Sequence, residues 1–485
     1  MESGSILKFL ENKAILVTGG AGFLAKIFAE KVLRSQPKVK KVYLLLRADD
    51  NKAASLRLQN EVLGKDLFDV LKQKMGANFN SFISEKVTVV PGDITLEDLT
   101  IKDLKLKEEL WRDIDIIINL AAITNFNERY DVSLSLNTFG AKHVLDFAKK
   151  CNKLKVLIQV STAYVSGEPA GLAKEVPYER PGLDIQLENK LIKDKLEELN
   201  SQGASQDITK LTMKDLAIER AKHWGWPNVY AFTKALGEML LMQEKEDIPL
   251  VFIRPTIVTS TFKEPFPGWI EGIRTVDSLA FAYGKGRLPC IPGDPNSVID
   301  VIPADMVVNA MLVAAMVHAN DKSNLKIYHV GSSVTNPLNF NSLNEVVYQY
   351  FKHHPCVNND GTSVIVGNRK RLDSMASFKT YISLHYLLPL KGLEVANMAL
   401  CQYFKGTCMY MRRNFNHMVR LIDFYRPYLF HKGIYDDTNT EILRIVSRKR
   451  GLETNMFYFD PKGVDWKDYF MNTHFPGVAK HVLKL

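Results

Sequence analysis

Residues 13–25, Lys13-Ala-Ile-Leu-Val-Thr18-Gly19-Gly20-Ala21-Gly22-Phe23-Leu24-Ala25, decide the fold. The apolar, β-branched run 13–18 stops at a glycine turn, and a helical pattern follows to Leu33. Strand, glycine turn and helix in that order present backbone N–H groups and a positive helix end to a pyrophosphate. A glycine triplet alone means little. Here a second apolar run, 41–46 (KVYLLL), begins where a βαβ unit needs it. Further runs at 86–90, 114–120, 155–160 and 249–253 alternate with helical stretches. The pattern predicts an α/β fold, a doubly wound Rossmann-type parallel sheet.

A ligand of such a sheet lies at the carboxyl ends of its strands. The candidates for cofactor binding are therefore Thr18, Gly19, Gly22, Phe23 and Leu24 at the first strand, Arg47 at the second, and Asp93 and Ile94 at the third. Ala121 follows the fourth strand, Asn137 opens the next helix, Ser161 and Thr162 follow the fifth, and Pro255 stands near the end of the sixth. Where an acid would bind a ribose 2′-hydroxyl, Arg47 favours a 2′-phosphate, which predicts NADPH. Tyr230-Ala-Phe-Thr-Lys234 places a phenol and an ammonium on one helix face, so Lys234 is expected to lower the phenol pKa and make Tyr230 a proton donor. Thr162, or alternatively Ser161, is the expected hydrogen-bond donor to the same substrate oxygen.

The 485 residues are 46 % apolar and 24 % charged, which excludes a disordered or fibrous chain. The charge-free run 306–319 is too short to span a bilayer and reads as a buried helix. Residues 369–434 hold eleven Lys/Arg against Asp373, Glu394 and Asp423, which is +8 of the net +9. That stretch suits an anionic membrane surface or a phosphorylated ligand, and no nucleic-acid motif accompanies it. Five scattered cysteines (151, 290, 356, 401 and 408) form no CxxC pair or metal-ligand spacing, so no metal is expected. The N-terminal MESGSILKFLENK lacks an apolar signal core and transit-peptide character, which predicts synthesis in the cytosol without cleavage. HExxH, P-loop and GxSxG motifs are absent from the sequence.

The order Thr18-Gly-x-x-Gly, Asp93, Asn137, Ser161-Thr162 and Tyr230-x-x-x-Lys234 resembles the extended short-chain dehydrogenase/reductase superfamily over roughly residues 10 to 345. More narrowly, Thr162-Ala-Tyr-Val, Arg254-Pro-Thr256, Lys263-Glu-Pro-Phe-Pro-Gly-Trp269, Asp436-Asp-Thr-Asn-Thr-Glu441, Phe459-Asp-Pro-Lys462 and Asn472-Thr-His-Phe-Pro-Gly477 are similar to fatty acyl-CoA reductases, especially the plant branch. The last small residue of the glycine motif is Ala25 rather than Gly, and Gly20-Ala21 replaces the usual Ala-Thr; neither change removes a group that a phosphate needs.

The resemblance implies reduction of a long-chain fatty acyl-CoA by two NADPH, through a bound aldehyde, to a primary alcohol with release of CoA. It implies that Lys234 also holds the nicotinamide ribose. It suggests peripheral attachment to the cytosolic face of the endoplasmic reticulum, a cytoplasmic location being the alternative. Residues 1–352 are expected to form the NADPH-binding reductase domain, 353–370 a linker, and 371–485 a mainly helical C-terminal domain. Residues 166–227, with helical stretches at 186–199 and 211–224, are expected to contribute to the acyl channel, and 262–269 its opposite rim. Two other readings compete: another extended-family enzyme, such as an aldehyde-forming acyl-CoA reductase, a sugar-nucleotide epimerase or a steroid dehydrogenase, and a catalytically silent dinucleotide-binding scaffold.

Overall fold

The computed structural model describes residues 5–169, 171–322, 325–358, 360–367, 370, 372–449 and 455–484. Arg369 and Arg371 of the basic stretch, and Asn359 and Asn368 of the 353–370 stretch, lie outside them. Seven strands, β1 (Ala14–Thr18), β2 (Lys41–Leu46), β3 (Val87–Pro91), β4 (Ile116–Asn119), β5 (Val156–Val160), β6 (Leu250–Pro255) and β7 (Lys326–Val330), form one sheet. All pairs are parallel, in the order β7-β6-β5-β4-β1-β2-β3. The order reverses between β1 and β4, and a doubly wound sheet opens its ligand crevice at that switch point. Register brings the strand ends level, with Thr18 opposite Asn119 and Asn119 opposite Gln159.

Local chemistry sets where the strands stop. The expected strand over 114–120 ends at Asn119, because the Leu120 N–H leaves the ladder for the Thr18 hydroxyl at 3.2 Å. β6 runs two residues past its expected end, because Arg254 and Pro255 pair with His329 and Val330 of β7. β7 itself has no counterpart among the sequence-derived strands. The apolar run expected to be a buried helix is the helix Ala304–Val317, buried along nearly its whole length.

The insertion forms the helices Ile185–Ser201 and Gln206–His223, capped by Asp184 and Ser205. Buried Glu188 joins them to the helix Tyr130–Leu134, accepting from Tyr130 Oη (2.8 Å), Arg220 Nε (3.0 Å) and Trp224 Nε1 (2.9 Å). Burial pushes its pKa up, but the bonds from Arg220, Trp224 and Tyr130 more than offset this and hold it below the usual range.

The C-terminal part is mainly helical, with helices Met375–Ile382, Leu388–Ala399, Lys405–Leu429 and Thr438–Lys449. It is woven into the reductase portion. Ile434–Tyr435 pairs in parallel with Leu172–Ala173 of the insertion. Buried His474 bridges Ser260 Oγ (3.1 Å) and Asp277 Oδ1 (2.7 Å), and Trp466 Nε1 donates to Asn336 O at 2.9 Å. Within 353–370, Val357 bridges to Ser363, and Gly367 O accepts from Tyr283 Oη at 3.0 Å.

Candidate active site

At the end of β1 the Thr18 hydroxyl donates to Asn119 Oδ1 and accepts from the Leu120 and Ala121 N–H groups. The chain then turns at Gly19 with φ +63°; a Cβ there would lie 2.8 Å from Ala121 Cα, so only glycine fits. The Gly22 N–H returns to Gly19 O at 2.7 Å and the helix Phe23–Ser35 begins. No side chain caps that helix, which leaves its first N–H groups available to an anion. Leu24 stands in its first turn, and Phe23 stacks on Trp269 at 5.4 Å.

Across β1 lie the ends of β2 and β3. Arg47 is exposed directly after β2, and among the described residues no carboxylate forms an ion pair with it. Asp93 is fixed by its own N–H, bonded to Leu99 O and Thr100 Oγ1 at 2.8 Å, and its Oδ1 accepts from the Thr95 N–H at 2.9 Å. Ile94 O accepts from His143 Nδ1 at 2.8 Å, and the Ile94 side chain fills the space beside Gly140.

On the other side, Asn228 caps the helix Val229–Glu244 by accepting from the Ala231 N–H at 3.0 Å. Buried Asn137 donates to Thr233 Oγ1 and Ile123 O and accepts from the Ile123 N–H, each at 3.0 Å. Thr162, following β5, donates to Pro255 O at 3.4 Å, and its hydroxyl acts on the Tyr230 phenol to lower its pKa. The neighbouring Ser161 Oγ is buried without a hydrogen-bond partner. Buried hydroxyls almost always have one, so this atom is free for a ligand. An uncapped helix end, a glycine cradle and an orphaned hydroxyl on one crevice fit a nicotinamide dinucleotide.

Electrostatics correct one expectation. Burial pushes the Tyr230 phenol up to about 12, against the opposing pull of the Thr162 hydroxyl and the Arg274 guanidinium. Lys234 is not the tuning group. Its Nζ donates to Val160 O at 2.9 Å, and burial takes its own pKa down to about 8 against the raising effect of Glu238. Helical spacing puts Lys234 on the Tyr230 face, but the flexible stem reaches a carbonyl instead.

Several residues at the site were not expected from the sequence. Arg274, before the helix Thr275–Gly284, lies over the Phe23 ring at 5.0 Å and faces Tyr230, linking the glycine turn to the phenol. Its one sequence signal is a cation where helices prefer a hydroxyl or an acid. Phe126 stacks on Tyr230 at 5.9 Å and on Tyr428 at 5.3 Å, so the C-terminal helix Lys405–Leu429 covers the phenol. Nothing in the local pattern around Phe126 or Tyr428 marks either residue.

This sheet, crevice and Tyr–Thr–Lys group define a nicotinamide-dependent oxidoreductase of the extended short-chain dehydrogenase/reductase type. Residues 17–311 match the NAD-binding domain described as male sterility protein, and residues 385–485 match a second domain of the same description. The chain is 61 % identical to the alcohol-forming fatty acyl-CoA reductase of Simmondsia chinensis, covering 99 % of both chains, and 50 % identical to fatty acyl-CoA reductase 1 of Arabidopsis thaliana over the whole of both. It belongs to this family, the plant fatty acyl-CoA reductases. Among solved structures, the terminal reductase domain of the myxalamid PKS-NRPS pathway shares the fold, with a TM-score of 0.58 at 15 % identity over 98 % of this chain and 92 % of that one.

The ammonium of Lys234 is the form that donates in the crevice, and it is lost as pH rises through about 8, while the phenol at about 12 keeps its proton. The rate of nicotinamide oxidation is therefore expected to fall above about pH 8. Lys234→Arg, which keeps its charge there, should lack that alkaline limb in a pH–rate profile, at whatever lower plateau its bulk allows.

Proposed function

We propose that this chain is an alcohol-forming fatty acyl-CoA reductase, converting one long-chain acyl-CoA, two NADPH and two protons to a primary alcohol, free CoA and two NADP⁺. The observation that carries this reading is the end-to-end 61 % identity with a relative of that name. When bound, the reduced cofactor supplies hydride to the carbonyl carbon. Tyr230 gives its proton to the resulting oxyanion while the Thr162 hydroxyl, whose influence reaches the phenol, donates to the same oxygen. Ser161 Oγ is the second free donor. Collapse of the hemithioacetal breaks the C–S bond and releases CoA as its thiol, and the same phenol protonates the alkoxide formed when the aldehyde is reduced. Lys234 presents its ammonium beside Val160 O to the ribose hydroxyls. The uncapped helix end at Gly22 and Phe23 takes the pyrophosphate.

The test is product analysis after incubation with hexadecanoyl-CoA and NADPH. The wild type should yield hexadecanol and CoA. Tyr230→Phe should lose about 10²- to 10⁴-fold of the rate with its circular dichroism unchanged, and near-wild-type turnover by that variant would remove Tyr230 from the mechanism.

The choice of NADPH rests on Arg47, exposed directly after β2 and without an ion-pair partner among the described residues. A charge-assisted contact is worth roughly 1.5–3 kcal/mol. Arg47→Ala should accordingly raise the KM for NADPH by about ten- to a hundredfold and barely alter that for NADH. Equal losses with both would make Arg47 a structural residue.

Membrane contact is supported by a helical hairpin. Leu388–Ala399 and Lys405–Leu429 are joined by a turn in which Cys401 and Gln402 take φ of 50° and 70°. Around that turn Val395, Met398, Leu400, Tyr403 and Tyr410 are exposed, Tyr403 to 81 %. Lys405 stands exposed at the turn, and Lys391, Arg413 and Arg420 are exposed further along the two helices, while Arg412 is spent on Glu394 at 2.6 Å. No helix among the described residues is long and apolar enough to cross a membrane. An apolar tip on a hairpin that carries exposed cations suits shallow insertion into an anionic bilayer, such as the cytosolic face of the endoplasmic reticulum, with each cation near the surface adding about 1 kcal/mol. In liposome flotation the wild type should rise with anionic vesicles and less at high salt. The double variant Leu400→Asp/Tyr403→Asp should stay in the soluble fraction, and its flotation with the wild type would exclude the hairpin as the anchor.

A further inference from the structure

Beside the glycine turn stands a cation without a counter-ion. Arg274 is half-buried immediately before the helix Thr275–Gly284, with its guanidinium over the Phe23 ring at 5.0 Å. Among the described residues its one hydrogen bond runs from Nε to Glu271 O at 3.3 Å, which leaves both Nη groups without a protein partner. The two carboxylates nearest to it in the chain are committed elsewhere. Glu271 holds Lys26 Nζ with both oxygens, at 2.7 and 2.6 Å, and Asp277 Oδ1 is bonded to His474 Nε2 at 2.7 Å. Burying a charge is costly unless it is paired and hydrogen-bonded, and arginine does not shed its proton to escape that cost. An anion from outside the chain would complete such a group.

The neighbours of Arg274 indicate which anion. Phe23 is the first residue of the helix whose uncapped N–H groups are available to a diphosphate. The segment that carries Arg274 is fastened to this helix: Trp269 stacks on Phe23 at 5.4 Å, and Glu271 grips Lys26, about one turn further along. The guanidinium therefore keeps a fixed place relative to the helix end. We propose that Arg274 is a further cofactor-binding residue, whose free Nη groups donate to the diphosphate of the nicotinamide dinucleotide. The planar fork of a guanidinium matches two phosphate oxygens, and the helix end and the arginine then share the negative charge between them. This role requires only a nicotinamide dinucleotide, the cofactor class that the crevice and the family define, and does not depend on the acyl-CoA reading. It is also distinct from the role of Arg47. The diphosphate is common to NADPH and NADH, so Arg274 serves both, whereas a contact to the 2′-phosphate separates them.

Equilibrium binding of NADPH and of NADH, followed by cofactor fluorescence, is compared for the full-length wild type and Arg274→Met, with circular dichroism as the check on folding. Methionine keeps an apolar stem against Phe23 and removes the charge. Loss of a charge-assisted contact weakens binding by about ten- to a hundredfold, and Arg274→Met should show that loss with both dinucleotides alike. Wild-type dissociation constants in the folded variant would overturn the assignment. A loss confined to NADPH would overturn it too, by placing Arg274 with Arg47 at the 2′-phosphate. Coenzyme A also carries a diphosphate, so CoA is titrated in parallel, and weakened CoA binding beside intact dinucleotide binding counts against the cofactor role. Should Arg274→Met fail to fold, labelling of the wild type by phenylglyoxal, which couples to accessible guanidinium groups, decides the matter. Peptide mass mapping should find Arg274 modified in the cofactor-free protein and protected at saturating NADPH or NADH. An Arg274 that is unreactive without cofactor, or equally reactive with it, would refute the proposal.

Discussion

The site depends on how closely the helix Val229–Glu244 seats against Asn137, which does not open a helix as expected but sits in the π-helical segment Ser135–Phe139 within the helical stretch 130–149. Gly237 makes that approach possible, because a Cβ there would stand 2.5 Å from Asn137 O. The contact is locked by Asn137 Nδ2 on Thr233 Oγ1 and by Thr138 Oγ1 on Thr233 O at 2.8 Å. Asn137 also holds both backbone groups of Ile123. One side chain thus fixes the helix that carries Tyr230 and the loop that carries Phe126, and their stacking follows from that shared support. A side chain at 237 would shift the phenol relative to Thr162 without touching either residue.

Charge is placed with the same economy of contacts. Arg254, wholly buried at the end of β6, is bonded to Glu238 through Nε at 3.0 Å and through Nη2, and it reaches Val176 O of the insertion at 2.9 Å. Such a pair adds little net stability after desolvation, but losing one partner would strand the other in the core at a cost of about 3–5 kcal/mol. Glu238 lies one helical turn beyond Lys234 and partly counters the burial that lowers the pKa of that ammonium. The pair therefore joins the sheet, the insertion and the helix that carries Tyr230 while conditioning the crevice cation.

The glycine turn and the parallel sheet were legible because their causes are local: a β-branched run, a position that only glycine tolerates, and a helix start without a cap. Thr18, Thr162 and Tyr230 could be placed for the same reason, as residues at strand ends or at a helix start. The direction of the Tyr230 pKa shift was not legible. Spacing fixes which face a lysine occupies, whereas its partner, Val160 O, lies 74 residues earlier in the chain. Arg274 and Tyr428 escaped notice because their meaning comes from tertiary neighbours. At helical spacing Tyr428 reads as one more buried aromatic, and only the fold sets it over Phe126. β7 escaped because Lys326–Val330 is five residues long and carries His329 amid its apolar positions.

The helix Lys405–Leu429 ties the chemistry to the surface. Its 25 residues at about 1.5 Å each give a length of roughly 37 Å. At one end Tyr428 stacks on Phe126, which stacks on Tyr230, and at the other Lys405, Met409 and Tyr410 are exposed next to the hairpin turn. A reaction that begins with a detergent-like thioester and ends with a water-insoluble alcohol needs a dry reducing site and a place to discharge its product. In the proposed arrangement one rigid element serves both needs, with its aromatic end shielding the aldehyde from water while its other end meets the lipid. The proton donor must act twice before the product leaves. Under that proposal, a cover supplied by the helix that reaches the lipid couples retention of the intermediate to the direction of release.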